Sequence, residues 1–149
     1  MAILFKDFSE DVIEKINALG VAWLEEASGE VESQTKRNTK VKTGRTKNSW
    51  EHRVDEDKLE AEVGSRYKNA LWEEFGTGIY ALNGDGRKTP WVYMNPNVKL
   101  TKSGKVRKNS KYGKFVYTVG KKPRRAFYKA YTGLKNKIIK SCQERFKRL

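Results

Sequence analysis

The stretch WEEFGTGIY, residues 72–80, places two adjacent carboxylates, Glu73 and Glu74, between two aromatic residues and then breaks the pattern with Gly-Thr-Gly. Paired carboxylates can share general acid and base roles, but only beside a pocket and a third group that orients the reacting molecule. Glycines in such a turn supply backbone conformations that other residues adopt only at a cost. The segment is therefore either a catalytic centre or a structural joint in an assembly.

The rest of the sequence offers little to complete a catalytic or metal centre. The chain has 149 residues, which is typical of one domain spanning 1–149. It contains one cysteine, Cys142, and one histidine, His52, too few for an internal disulfide or a Cys/His metal cluster. Neither a nucleotide-binding glycine pattern nor a nucleophile-elbow motif occurs. We therefore predict a protein without enzyme activity, cofactor or metal, in which His52 is a half-buried strand residue and Cys142 a packing residue.

Charge is distributed unevenly along the chain. The formal net charge is +14, yet residues 1–32 carry eight acids and two bases. Residues 99–125 carry eleven Lys or Arg and no acid. An acidic N-terminal region and a basic region towards the C-terminus predict contact with charged neighbours, either nucleic acid or the acidic face of a second copy. Because no signal-peptide pattern or apolar run of membrane length is found, we expect a soluble protein made in the cytoplasm.

Hydrophobic spacing predicts an α+β fold. Apolar residues recur every three or four positions within 1–38 and 121–149, which indicates long N-terminal and C-terminal helices. The second helix would begin near Pro123, a residue that the first turn accepts. Residues 66–75 are predicted to form a short helix or an irregular turn followed by a helix. Alternation of apolar and polar residues predicts a set of strands, at 46–54, 59–65, 89–95 and 112–119.

These elements predict an antiparallel sheet of about four strands packed by the two long helices. Residues 39–77 would supply a turn, a hairpin and the Glu-Phe-Gly-Thr segment, and residues 78–120 a long basic loop or hairpin insertion. The expected core consists of apolar side chains from both helices and the hairpin, namely Trp23, Trp50, Leu59, Val63, Phe127, Leu134 and Ile138.

Three short pieces, in this order, carry a resemblance to a known family. They are TKVKTGRTKNSW (39–50), YKNALWEEFGTG (67–78) and GKKPRRAFYKAY (120–131). In these pieces the sequence resembles the head–tail joining family of tailed bacteriophages, also called neck or tail-completion proteins. Each piece is short, so the specificity comes from finding all three in order.

The residues that match the family pattern are Thr43, Gly44, Arg45, Asn48, Ser49, Tyr67, Glu74, Phe75, Gly76, Thr77, Pro123, Phe127 and Ala130. The first piece departs from the pattern at Lys40, Lys42 and Thr46, where the family has Pro, Asp and Leu. The segment between Thr77 and Pro123 is longer than the family implies, so the resemblance says least about residues 78–120.

The resemblance implies a structural virion protein that forms a ring, hexameric by analogy, at the phage neck. Such a ring joins connector or head-closure proteins to tail terminator or tube proteins and lets DNA pass, with assembly in the host cytoplasm and no membrane partner. In this family the Glu-Phe-Gly-Thr turn is a structural signature. An ion pair of Arg45 with Glu74, or with Glu73, would hold two turns together. The alternative function is a stand-alone basic nucleic-acid-binding protein.

A basic patch is the candidate interface of the neck protein. Its members are Lys99, Lys102, Lys105, Arg107, Lys108, Lys111, Lys121, Lys122, Arg124 and Arg125. Cations at a helix start oppose the helix dipole, so an external anion is expected near 121–125. Residues 99–111 would meet either DNA or an acidic surface on an adjoining ring. We favour the protein surface, because DNA must slide through a neck and strong phosphate contacts would hold it back.

Overall fold

The computed structural model describes residues 7–94, 106–107 and 115–147, with side chains described for all of these except 106, 107, 115 and 116. The chain forms two compact units. The helix–hairpin unit consists of Met1–Tyr67 and Ala126–Leu149, and the glycine unit of Lys68–Arg125. The expectation of one domain over the whole chain stays a prediction.

Two antiparallel helices form the frame of the helix–hairpin unit. Helix α1 spans Ser9–Asn38, and the last helix, α4, spans Ala126–Phe146. The indole Nε1 of Trp23 donates a hydrogen bond to Ser141 Oγ at 3.1 Å. Ion pairs between the two helices add to this contact, namely Lys137 with Glu30 and Arg145 with Glu26. Both long helices predicted from hydrophobic spacing are confirmed.

A β-hairpin packs against α1. Strand β1, Trp50–Asp55, pairs antiparallel with β2, Glu60–Ser65, so that Trp50 lies opposite Ser65. Trp50 is only 7% exposed and stacks on Phe127 with ring centroids 6.0 Å apart. Because the hairpin covers α1 and a side chain of α4 covers Trp50, these elements share one core.

Two predicted boundaries in this unit are wrong. The expected strand at 46–54 begins only at Trp50, because Gly44 takes a left-handed conformation (φ 80°) and starts the short helix α2, Arg45–Asn48. Helix α4 begins at Ala126, three residues after Pro123. The residues before Ala126 have non-helical conformations, since Gly120–Lys121 forms a strand and Arg125 has a positive φ of 56°.

The glycine unit consists of one short helix and several short strands. Helix α3 spans Lys68–Phe75. The strands are β3 (Thr77–Gly78), β4 (Trp91–Met94), β5 (Val106–Arg107), β6 (Phe115–Thr118) and β7 (Gly120–Lys121). Strand β3 pairs with β7, while β4, β6 and β5 form a second antiparallel sheet in that order.

The α+β class with terminal helices and antiparallel pairing is confirmed, but the expected four-stranded sheet is wrong for the described residues. Their strands form three separate small sheets. The hairpin edge is not extended by β4 and β6, which pair with each other instead. Most of the predicted basic loop, residues 95–105 and 108–114, lies outside the described residues.

The predicted core is only partly correct. Trp50 is buried, and most of the others are half-buried, namely Trp23, Val63, Phe127, Leu134 and Ile138. Leu59 is 39% exposed, because it lies in the hairpin turn with a positive φ of 53°. Small side chains fill the tightest places, with Ala126 and Ala130 of α4 at 6% and 1% exposure.

Candidate functional site

The segment WEEFGTGIY joins the end of α3 to strand β3 by a close backbone crossing. Gly76 and Gly78 have positive φ angles of 77° and 63°. Opposite them, Gly120 in β7 has a φ of 128°. A Cβ atom on Gly78 would overlap the Val119 carbonyl group and lie 2.7 Å from Gly120 Cα. Real Cβ atoms do not approach other atoms so closely. This close approach of β3 and β7, which we call the glycine crossing, therefore requires glycine both for its backbone conformation and for the space available.

Gly76 is restricted in the same way. A Cβ atom there would lie 2.8 Å from Tyr80 O, 2.9 Å from Lys121 O and 2.9 Å from Pro123 Cδ. Thr77 completes the crossing, since its Oγ1 accepts the Lys121 N–H at 3.0 Å. The family-motif residues Gly76, Thr77 and Pro123 therefore meet at one point in the glycine unit.

Glu73 forms ion pairs across this backbone crossing. Its side chain, 18% exposed, binds Lys121 Nζ and lies 3.1 Å from Arg124 Nε. The Glu73 carbonyl oxygen also accepts the Arg124 N–H at 2.7 Å. Lys122 lies over the Tyr80 ring, 5.7 Å from its centroid. An anionic partner for cations in 121–125 therefore lies inside the unit, because Glu73 pairs with both Lys121 and Arg124.

The neighbouring carboxylate has a different environment. Glu74 is buried, with 7% exposure, whereas Arg45 is exposed and belongs to the other unit. The expected ion pair between Arg45 and Glu74, or Glu73, would join residues of the two units and stays a prediction. Phe75, next along the motif, is 40% exposed.

In the helix–hairpin unit, the first motif meets Tyr67 at the open end of the hairpin. Thr43, Arg45, Asn48 and Ser49 line a cavity of about 440 Å³ together with Tyr67. Ser49 Oγ and Ser65 Oγ lie 2.7 Å apart, and the Tyr67 N–H donates to Ser65 Oγ at 3.2 Å.

Gly44 begins the short helix that presents the first-motif residues. In the same unit, Phe127 of the third motif stacks on Trp50. The first and third sequence pieces, which lie far apart along the chain, therefore both supply residues to the structure of this unit.

A charged cluster that the sequence reasoning missed ties β1 to α1. His52 Nδ1 binds Glu32, and His52 Nε2 lies 3.1 Å from Glu25 Oε2. The hydrogen bond to Glu32 raises the pKa of His52, with Glu25 adding to the effect against desolvation. Desolvation acts to raise the pKa of Glu32, but Lys36 and His52 outweigh it and lower that pKa. The seven-residue spacing of Glu25 and Glu32 on one helix face was the available signal.

The glycine unit also exposes many large apolar side chains, which sequence periodicity did not indicate. Leu71, Trp72 and Phe75 are 57%, 50% and 40% exposed. They line a groove of about 430 Å³ together with Trp91. Arg87 lies over the Trp91 ring, 5.7 Å from its centroid.

Of the predicted basic patch, the structure describes the side chains of Lys121, Lys122, Arg124 and Arg125, and of Arg107 only the backbone in β5. Lys99, Lys102, Lys105, Lys108 and Lys111 lie outside the described residues. Within the described ranges, no group of three or more His, Cys, Asp or Glu side chains is arranged to hold a metal ion. No described helix is both long and apolar enough to span a membrane.

Comparison with known proteins finds a family model that matches just under half of the chain. Residues 5–76 match the HK97-gp10-like family, described as "Bacteriophage HK97-gp10, putative tail-component". This match confirms the resemblance to phage head–tail proteins that the three sequence pieces indicated. No curated protein and no solved structure shows a significant match to the chain.

The matched region includes most of the elements that the motifs define. It spans α1, α2, the hairpin and α3, and it ends at Gly76 of the glycine crossing. The third piece, with Pro123 and Phe127, lies outside it. Residues 5–76 are thus similar to a family described as a putative phage tail component, and this likeness supports a phage structural role.

Proposed function

We propose that the protein is a ring-forming component of the phage neck, which joins the DNA-filled head and its connector to the tail and lets DNA pass. The observation that carries this proposal is the family match over residues 5–76. It supports a structural role, and the resemblance carried by the three sequence pieces in order supports the neck in particular. The partners would be connector or head-closure proteins on one side and tail terminator or tube proteins on the other.

The chemistry of WEEFGTGIY supports a structural role over catalysis. Glu73 is engaged by Lys121 and Arg124, and the glycines next to it form a close backbone crossing. The Glu73 carboxylate is thus taken up by contacts within the unit, and among the described residues no third group beside it is placed to orient a reacting molecule. We therefore propose that the protein is not an enzyme and uses no cofactor.

The direct test is genetic depletion followed by complementation in vitro. Phage produced without this protein should accumulate DNA-filled heads and separate tails. Adding the purified chain to that lysate should restore joined, infectious particles. Depletion that leaves normally joined particles, or heads that fail to package DNA, would contradict a joining role and favour an earlier step or the nucleic-acid-binding alternative.

A second experiment addresses the basic tract. Charge reversal at Lys102, Lys105, Arg107 and Lys108 should give DNA-filled heads and separate tails, with the subunit still folded. The matched control exchanges Lys for Arg, and Arg for Lys, at the same four positions and should join normally. Infectious virions from the reversed variant would show that this charge is not used for joining.

A further inference from the structure

The first turns of α1 expose an apolar stripe. Residues 9–18 are all exposed, and Val12, Ile13 and Ile16 are 51%, 58% and 39% exposed. The stripe continues along the helix to Trp23, where the same face contacts α4 through Ser141. This part of α1 therefore extends a packing face beyond the turns that α4 covers.

The charge around this stripe is acidic. Residues 7–16 carry four acids, Asp7, Glu10, Asp11 and Glu14, against one base, Lys15. An exposed helix with one apolar stripe and acidic flanks is suited to a basic, apolar groove on a protein. The acidic flanks also disfavour nucleic acid and anionic lipid as occupants, because their phosphates would be repelled.

The glycine unit of the same chain has the complementary surface. Its groove of about 430 Å³ is lined by Leu71, Trp72, Phe75 and Trp91, and Arg87 lies at the Trp91 ring. Asn83 and Asp85 also line it. The described side chains of the unit, in 68–94 and 117–125, include seven Lys or Arg against three acids. One chain thus presents an acidic apolar helix and, within a basic unit, an apolar groove, both exposed.

We propose that the first turns of α1, residues 8–19, dock into the glycine-unit groove of a second copy of this chain. Two different surfaces then meet, so each copy can bind one neighbour with its helix and another with its groove. Such a head-to-tail contact closes into a ring when the rotation permits. This proposal rests on the ring-forming function proposed above, and it names the contact that forms the ring.

Disulfide trapping between purified full-length subunits tests the contact. One subunit carries Val12→Cys and the other Leu71→Cys, both with Cys142→Ser, so that a covalent dimer forms only between copies. A second pair, Ile16→Cys with Trp72→Cys, guards against misfolding of one variant. The control pair is Val12→Cys with Lys58→Cys, since Lys58 is exposed in the hairpin turn.

The groove pairs should give a dimer yield at least about tenfold above the control pair, and the yield should fall with added salt. Reversal of Glu10 and Glu14 to Lys should lower the yield, and adding Arg87→Glu and Lys88→Glu on the partner should restore it. Equal trapping at Lys58, or no trapping by either groove pair when all variants show native circular dichroism, overturns the proposal. The neck role is judged separately from depleted phage, so either idea can fail while the other stands.

Discussion

In the helix–hairpin unit Trp50 is 7% exposed and stacks on Phe127, whereas in the glycine unit Trp72 is 50% exposed and lines an open groove. The first unit is held by side chains packed between two helices and a hairpin. The second is held by a backbone crossing at Gly78 and Gly120 and by the ion pairs of Glu73. A unit that leaves its aromatic residues exposed keeps apolar surface for a partner.

The largest expected effect comes from making the same substitution in each unit. Trp50→Ala should lower the free energy of unfolding by about 3–5 kcal/mol, because it removes a buried ring and the stacking contact of that ring with Phe127. Trp72→Ala should cost less than about 1 kcal/mol in the free chain, since the side chain is half exposed. Urea titration followed by circular dichroism measures both, and equal losses would contradict the contrast between the units.

The difference between the units also explains what the sequence could predict. The spacing of Trp23, Val31 and Trp50 follows helix and strand periods, so both long helices and the hairpin were predicted. Periodicity has no signal for two-residue strands such as β3 and β7, which depend on how closely two backbones approach. Periodicity therefore predicted one sheet of about four strands, whereas the described residues form three small sheets.

The candidate site shows the same limit. The motif residues Gly76 and Thr77 were found through a family resemblance, but Gly120 was not singled out, because its role appears only once β7 lies against β3. Likewise, a sequence does not say that Glu73 will meet Lys121 and Arg124, which lie about fifty residues further along the chain. Ion pairs between distant segments depend on the tertiary fold.

The second prediction exchanges a glycine for alanine in each unit. Gly78→Ala should destabilise the glycine unit by about 2–4 kcal/mol, because it adds the strain of a positive φ to a clash with backbone atoms that cannot move away cheaply. Gly64→Ala in β2 should be close to neutral, since no atom lies within 4 Å of the added Cβ. Hydrogen exchange resolved by segment should show protection lost around 68–94 and 115–125 only in the first variant.

The third prediction tests the charged closure of the glycine crossing. Glu73→Gln should cost about 1–2 kcal/mol, because it weakens charge-assisted hydrogen bonds that are only partly screened by solvent. Glu51→Gln is the matched control in the other unit, where the pair with Arg66 is largely exposed and should contribute about 0.5 kcal/mol or less. A loss from Glu51→Gln as large as that from Glu73→Gln would remove the distinction.

The smallest expected effect is a pH dependence confined to the helix–hairpin unit. The pKa of His52 is raised above its ordinary value of 6.5 by Glu32 and Glu25, so the folded state binds the proton more tightly than the unfolded state. The stabilisation is therefore complete below pH 6.5 and is lost as the pH rises through the folded pKa. The lowered pKa of Glu32 acts in the opposite direction, with stability lost as the pH falls below its ordinary value of 4.5.

His52→Gln separates these two contributions, because it removes the titrating ring and keeps a polar side chain on β1. The original chain should lose about 1 kcal/mol of unfolding free energy between pH 6 and pH 8.5, a modest amount since Glu25 is largely exposed. The variant should show a flat profile over that range and a lower stability at pH 6. An unchanged slope in the variant would place the titrating group elsewhere. If the slope disappears while the hydrogen-exchange protection of 68–94 and 115–125 shows no matching change between the two proteins, the two units respond to pH separately.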